Sequence, residues 1–341
     1  MTDPASTPSA LVTGACALVS GATGFLGGRL AALLVERGYR VRALARPTSD
    51  LSRLAGLGVE IVVGDVTDRA SLDRACAGQR VVFHTAGKVT DWATADDFMA
   101  VNHGGTANVI AACQAAGVAR LVHVSSLTVL GLPRDGRRVD EQSPYAATPP
   151  DPYTRSKIAA ERLVREAHGQ RGLATTVVRP GVIWGRGELT IVPRLVELLR
   201  QQRLPYIGGG HNCIGMSHVD NLALGCVLAA ETVAAAGQLY HVTDGDEISL
   251  RQALDALADT YGLARPRSSV PFWAVHGAAA LVELLARLRG REQPPAISRY
   301  GVRLVSCHCH YDIGKARREL GYAPVVHLAD GLAALVKENA A

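Results

Sequence analysis

The feature that most constrains the fold of this 341-residue chain is a glycine-punctuated junction near its start. The apolar run 15–20 reads as a short strand. It passes into Gly21-Ala22-Thr23-Gly24-Phe25-Leu26-Gly27 and then into the helical pattern Leu30, Leu33, Leu34. Strand, glycine turn and helix in that order open a βαβ unit and form the setting a dinucleotide fingerprint requires. Glycines let the backbone approach a pyrophosphate, and the helix start offers N–H groups and positive dipole to it. The spacing is G-x-x-G-x-x-G, not the commoner G-x-G-x-x-G. Gly21, Thr23, Gly24, Phe25, Leu26 and Gly27 are the candidate cofactor contacts here. Leu11-Val12-Thr13-Gly14 resembles a rival strand end, but no further glycines follow it in that pattern.

Downstream, apolar β runs near 40–45, 59–63, 81–85, 120–125 and 174–179 alternate with helical patterns. That alternation predicts an α/β fold, a Rossmann-type doubly wound parallel sheet. After Arg179 the pattern becomes irregular. Helices are expected near 191–200, 219–233, 250–261, 272–288 and 328–337, with a strand near 239–243. Ser249-x-x-Gln252 is a capping box opening one of these helices. The expected division is a disordered tail over 1–14, a nucleotide-binding domain over 15–180, and a smaller mixed lobe over 181–341 interwoven with the sheet.

A second motif carries chemistry. In Tyr153-Thr154-Arg155-Ser156-Lys157, Tyr and Lys lie four apart and project from one helix face. Asp151 suits the N-cap and Pro152 the first turn. The helix dipole and Lys157 would both favour the Tyr153 phenolate, which predicts a general acid/base tuned toward neutral pH.

Together the two motifs resemble the extended short-chain dehydrogenase/reductases. Further segments match in order: Asp65-Val66, His84-Thr85-Ala86-Gly87, Val101-Asn102 with Gly105-Thr106 and Asn108, Val124-Ser125-Ser126, Arg179-Pro180-Gly181 and His218-Val219-Asp220-Asn221. The resemblance spans about residues 15 to 338. It implies catalytic Ser126, Tyr153 and Lys157, with Ser126 chosen over Ser125 by counting back from Gly131. It implies further cofactor contacts at Asp65, Val66, Thr85, Ala86, Gly87, Asn102, Lys157 and Pro180. Asn102 reads as backbone support more than as a catalyst. At the end of the second strand, Ala45 occupies the position where NAD enzymes carry an acid, and Arg46 follows. A guanidinium there suits a 2′-phosphate, so NADP(H) is expected over NAD(H), with NAD(H) as the alternative.

Within that superfamily the second half resembles the 3β-hydroxysteroid dehydrogenase-like branch, which includes bacterial 2-alkyl-3-oxoalkanoate reductases. The carrying residues are Val182-Ile183-Trp184-Gly185, Ile191-Val192-Pro193-Arg194-Leu195, Tyr311-Asp312-Ile313-Gly314-Lys315-Ala316-Arg317 and Leu320-Gly321-Tyr322. The resemblance implies a ketoreductase or 3-hydroxy dehydrogenase for a bulky apolar ketone or secondary alcohol. Pro271–Leu288 is expected to line or lid the pocket through its apolar residues, with Trp273 and Trp184 on opposite walls. The rivals are a nucleotide-sugar epimerase or dehydratase and a non-catalytic dinucleotide-binding regulator. Ile214 stands where sugar-nucleotide enzymes carry a diphosphate-binding Arg. A regulator would commonly lack the Tyr or the Lys.

Composition removes other classes. The net charge is +5, but it is scattered, with no basic run and aromatic interleaving for nucleic acid. Seven cysteines, an odd number spread through predicted core elements, fit a cytoplasmic protein better than a disulfide framework. Cys307-His308-Cys309-His310 looks metal-like, but alternate strand residues face opposite sides, so no metal site is expected. The apolar segment 271–288 is too short and too polar to span a membrane, leaving at most weak contact with a membrane surface. A homodimer is expected.

Overall fold

The computed structural model describes residues 14–339 except 91, 291–294 and 296. Of the expected N-terminal tail, residues 1–13 lie outside the described residues. Seven parallel strands form the central sheet: β1 (Cys16–Ser20), β2 (Arg40–Ala45), β3 (Glu60–Val63), β4 (Val81–His84), β5 (Arg120–Val124), β6 (Ala174–Pro180) and β7 (Leu239–Val242). Their order is β7-β6-β5-β4-β1-β2-β3. Every residue of β4 and of β5 is buried, as strands covered by helices on both faces must be.

Helices α1 (Phe25–Glu36), α2 (Arg69–Cys76), α3 (Gly105–Ala115) and α4 (Pro152–Glu166) link the first six strands. They are followed by α5 (Ile191–Arg200), α6 (Val219–Glu231), α7 (Leu250–Thr260), α8 (Phe272–Leu288), α9 (Arg299–Val305) and α10 (Leu328–Asn339). Successive side chains of β1 serve opposite cores. Ala17 and Val19 join Leu30 and Leu34 of α1 and Leu222 and Val227 of α6. Leu18 joins Leu72 of α2, Val109 of α3 and Val164 of α4.

The strand order reverses between β1 and β4, which opens a crevice outside their carboxyl ends. The chain leaves β1 into the glycine turn, and it leaves β4 into Thr85-Ala86-Gly87. The lobe over this crevice is built from short parallel pairs. Val182–Trp184 pairs with Met216–His218, Tyr206–Ile207 with Ser269–Val270, and Arg137–Val139 with Cys309–Tyr311. Its core gathers Val196 and Leu199 of α5, Leu257 of α7, and Leu332 and Leu335 of α10. The predicted capping box forms: the Ser249 side chain takes the Gln252 N–H, and Gln252 returns the bond. The chain weaves between layers, since β7 and α6 follow the first lobe segments yet belong to the sheet and its cover. Among the described residues no helix is long and apolar enough to cross a membrane.

Candidate active site

The glycine turn is shaped by close backbone approach. Gly21 has φ +74°, and a Cβ on it would lie 2.7 Å from the Ala86 nitrogen. A Cβ on Gly27 would lie 2.1 Å from the Gly21 carbonyl oxygen, so α1 packs directly on the turn. At Gly24 a Cβ would meet only that oxygen, at 3.2 Å, leaving the outer side open. Gly24 caps α1 without a capping side chain, and no acid stands in the first turn. The helix N–H groups are therefore left for an anion. This donor set and cradle fit a dinucleotide pyrophosphate.

The surrounding candidates fall around the same crevice. Thr85 Oγ1 donates to the Ser20 carbonyl at 2.7 Å, tying the ends of β1 and β4 together. Asp65 follows β3, and one of its carboxylate oxygens accepts from Thr67 N at 2.8 Å and Thr67 Oγ1 at 2.7 Å. The Val66 carbonyl accepts from Asn108 Nδ2 at 3.0 Å. Asn102 lies in a π-helical turn, Met99–Gly104. Its Oδ1 accepts from Lys88 N at 2.7 Å, and its Nδ2 donates to Lys88 O at 3.2 Å and Ser156 Oγ at 2.9 Å. It thus braces the loop after Gly87 against α4. Pro180 is the buried end of β6. Arg46 is the exposed residue following β2, and no carboxylate among the described residues pairs with it. Sequence reasoning missed Arg53, whose Nη2 donates to the Gly187 carbonyl at 2.6 Å. Its guanidinium carbon lies 5.6 Å from the Phe25 ring centroid, so it bridges the glycine turn and the lobe.

Tyr153 and Lys157 share the first turns of α4. Asp151 caps that helix, accepting from Thr154 N at 2.7 Å, and Pro152 stands at its start. The Tyr153 ring is buried between Phe98 and Tyr300, edge-on at 5.9 and 5.7 Å. Burial pushes the phenol up to about 12; the Ser126 hydroxyl pulls against this by hydrogen bonding, and the Asp151 charge adds to the rise. The expected tuning of Tyr153 toward neutral pH is therefore corrected. Desolvation outweighs the helix end, and Lys157 turns away, its Nζ donating to the Val124 carbonyl at 2.7 Å. Burial lowers Lys157 to about 8, while the Glu161 carboxylate acts to hold its charge.

The two serines separate cleanly. Ser125 Oγ donates to Glu161 Oε2 at 2.5 Å and belongs to a buried network with Arg179. Ser126 caps the turn Leu127–Leu130, accepting from Thr128 N at 3.2 Å, and is the serine that acts on the Tyr153 phenol. Tyr153 forms part of a pocket with Phe98, Pro150, Pro152 and Tyr300, and the pocket's cations are Arg287, Arg299 and Arg303.

Both tryptophans assigned to the substrate are corrected. Trp184 is buried in the lobe core, its Nε1 donates to Asp244 Oδ2 at 2.7 Å, and its ring meets His218 edge-on at 4.8 Å. Trp273 points into solvent. The face of α8 that reaches the pocket carries Glu283 and Arg287, not the apolar residues. In the Cys-His-Cys-His run, Cys307 and Cys309 are buried in an apolar cluster. His308 and His310 approach Cys213, with potential ligand atoms within 4.8 Å of one another, so three such groups do converge. His308 Nδ1 accepts from Cys213 N at 3.0 Å, and His310 Nδ1 faces Glu247 Oε1 at 3.1 Å.

Comparison with known proteins places these features in context. A sequence profile of the 3-beta hydroxysteroid dehydrogenase/isomerase family matches residues 18–271. The 4-hydroxy-2-methyl-3-oxo-4-farnesyl-3,4-dihydroquinoline-1-oxide ketoreductase of Stigmatella aurantiaca is 38% identical over 318 residues, covering 93% of this chain and 94% of that protein. The 2-alkyl-3-oxoalkanoate reductase of Stenotrophomonas maltophilia is 37% identical, covering 95% and 99%. Among solved structures, gox2253 superposes with a TM-score of 0.79 at 30% identity, covering 94% of this chain and 97% of that one. DesIV, a dTDP-glucose 4,6-dehydratase from Streptomyces venezuelae solved with NAD and TYD bound, superposes at 0.76 with 28% identity, covering 94% and 96%.

Proposed function

The chain belongs to the 3-beta hydroxysteroid dehydrogenase/isomerase family of extended short-chain, NAD(P)-dependent oxidoreductases, and we propose that within it the protein is an NADP(H)-dependent ketoreductase or 3-hydroxy dehydrogenase for a bulky, largely apolar substrate. The carrying observation is Tyr153, which lines a pocket beside Phe98 and Tyr300 while Lys157, one turn along the same helix, reaches the carbonyl of Val124 at the end of β5. In reduction, the Tyr153 hydroxyl gives its proton to the carbonyl oxygen, and Ser126 Oγ donates a hydrogen bond to that oxygen to orient it. The nicotinamide, when bound, supplies the hydride to the carbonyl carbon, so ketone, hydride and proton balance as the secondary alcohol. Lys157 would hold the nicotinamide ribose, and Asn102 keeps the Gly87 loop against α4. The glycine turn holds the pyrophosphate, while Asp65 and Val66 contact the adenine. Arg46, exposed and without a carboxylate partner among the described residues, supports a 2′-phosphate and hence NADP(H).

The pocket's charges favour a 3-oxoalkanoate-like substrate over a neutral steroid. Glu283 is neutralised by Arg299 at 2.7 Å, and the Arg303 charge acts on Asp151. Arg287 lies with its guanidinium carbon 5.4 Å from the Trp92 ring centroid and has no carboxylate partner among the described residues, which leaves its N–H donors for an anionic group. Its opposing polarity to the flanking Phe98 and Tyr300 suits a molecule with a carboxylate near its ketone and apolar chains beyond. The epimerase reading loses support because Ile214 packs with Tyr206, Leu250 and Leu254. Seven free cysteines support a cytoplasmic protein, and the family resemblance supports a homodimer.

The test is kcat/KM for a 2-alkyl-3-oxo acid against its methyl ester and a neutral polycyclic ketone, with NADPH. The acid should be preferred, and Arg287→Gln should narrow that preference. Equal use of acid and ester would overturn the substrate class; no turnover of any ketone would overturn the reductase reading. A monomer by light scattering at micromolar concentration would overturn the dimer.

A further inference from the structure

Helix α8 presents an apolar stripe that the described chain leaves in solvent. Trp273, Leu281, Leu284 and Leu288 are 76%, 57%, 55% and 75% exposed. At the helical repeat, positions 273, 277, 281, 284 and 288 fall within an arc of about 80° and extend for about 22 Å. Leu285, also exposed, borders the arc. A soluble surface rarely leaves so many large apolar side chains together in water without a use for them.

Among the described residues, the exposed charges of α8 and of its immediate chain flanks have one sign. Glu283 is the only acid in α8, and it is buried on the opposite side, where it accepts from Arg299 N at 2.6 Å and Arg299 Nε at 2.7 Å. Arg289 is exposed at the C-terminal end, and Arg267 is exposed before the N-terminal end. An apolar stripe with a tryptophan, flanking arginines and no exposed acid among the described residues of the helix is the composition of a helix that lies in a membrane interface.

We propose that α8 docks the protein on an anionic lipid bilayer, with Trp273 and the leucines at the headgroup–acyl boundary and the arginines against lipid phosphates. A second copy of the chain fits this face less well. A two-fold contact sets a patch against itself, and here it would bring arginine rim to arginine rim. Docking also has a consequence for the site. The inner side of the same helix supplies Glu283 and Arg287 to the Tyr153 pocket, so a docked molecule holds that pocket close to the phase in which an apolar substrate dissolves. This consequence rests on the apolar-substrate reading; the docking itself does not.

The full chain should co-sediment with phosphatidylcholine vesicles containing phosphatidylglycerol, and added salt should weaken that binding. Pure phosphatidylcholine should bind it less. The double variant Leu284→Glu/Leu288→Glu should lose vesicle binding about tenfold or more, yet reduce a short water-soluble ketone at the unaltered rate. Arg267→Gln/Arg289→Gln should lose the phosphatidylglycerol dependence. Absence of binding to anionic vesicles, or binding by the double glutamate variant equal to wild type, overturns the proposal. So does a dimer that light scattering shows to dissociate in that variant when the wild type ignores vesicles, because α8 is then a subunit interface. If vesicles bind but a vesicle-borne long-chain ketone is reduced no better than the same ketone dispersed in detergent, docking stands and the substrate reading fails.

Discussion

Glu161→Gln exchanges a carboxylate for an amide of the same shape at a point where several groups depend on its charge. Arg179 reaches Glu161 Oε1 through Nη2 at 2.5 Å and Oε2 through Nε at 3.0 Å. Ser125 Oγ donates to Oε2 at 2.5 Å and the Tyr145 hydroxyl to Oε1 at 2.9 Å. Glu161 and Arg179 are both buried, and Arg179 Nη1 already has no hydrogen-bond acceptor. Removing the anion leaves a guanidinium buried without compensation and sets an amide NH₂ against other donors. Breaking such a pair costs about 3–5 kcal/mol, against a total of roughly 5–15 kcal/mol for a folded domain. Urea unfolding followed by circular dichroism, in a cycle with Arg179→Met, reads this directly. The double variant should recover part of the loss, because it no longer buries a lone charge. Burial alone would raise the Glu161 carboxyl, but Arg179 and then the Ser125 and Tyr145 hydroxyls hold it below the ordinary range. Its stabilisation is therefore present above about pH 4.3 and lost as pH falls through the lower folded value. The same charge helps Lys157 stay protonated. With burial lowering Lys157 to about 8, kcat/KM should fall as pH rises through that value, and in Glu161→Gln the fall should begin at lower pH. A loss below about 1 kcal/mol, in the range of an exposed ion pair, together with an unmoved pH limb, would refute both parts.

Three other perturbations separate cofactor, turn and core. Arg46→Ala should weaken NADP(H) by about tenfold or more through loss of a charge-assisted contact and leave NAD(H) nearly unchanged; fluorescence titration with both cofactors checks this, and equal losses would remove Arg46 from the 2′-phosphate. Gly27→Ala sets a methyl 2.1 Å from the Gly21 oxygen, so isothermal titration should show cofactor binding lost or greatly reduced. Trp184→Phe removes the 2.7 Å bond to Asp244 Oδ2 and should cost about 1–3 kcal/mol of stability while KM stays the same. A raised KM with unchanged stability would return Trp184 to the substrate wall.

Local pattern made much of this molecule legible. The glycine turn, the Asp151 cap and the capping box at Ser249 depend on residues within a few positions of each other, and each forms as the sequence implies. The seven-stranded sheet follows from apolar runs of strand length alternating with helical periods. What the sequence hid depends on tertiary direction. Trp184 and Trp273 look alike as large aromatics near a presumed lobe, yet one fills the core and the other faces water. Tyr300 gives no local signal for its place against Tyr153, nor Arg53 for its bond to Gly187. The Tyr153 ionisation was misread because a dipole and a lysine can be drawn from spacing, whereas desolvation needs the packed neighbours Phe98 and Tyr300. The alternation in 307–310 was sound for one strand, but Cys213 arrives from elsewhere in the chain.

The proton assignment at Tyr153 is tested most directly by comparing Tyr153→Phe with wild type in single-turnover reduction of a 2-alkyl-3-oxo acid, following NADPH absorbance, with NADPH affinity measured on the same samples. In the proposed mechanism the phenol moves a proton and does not hold the nucleotide, so the rate should drop on the order of 10²–10⁴-fold while NADPH affinity stays close to wild type. A Tyr153→Phe protein that reduces the ketone at near wild-type rate would contradict it.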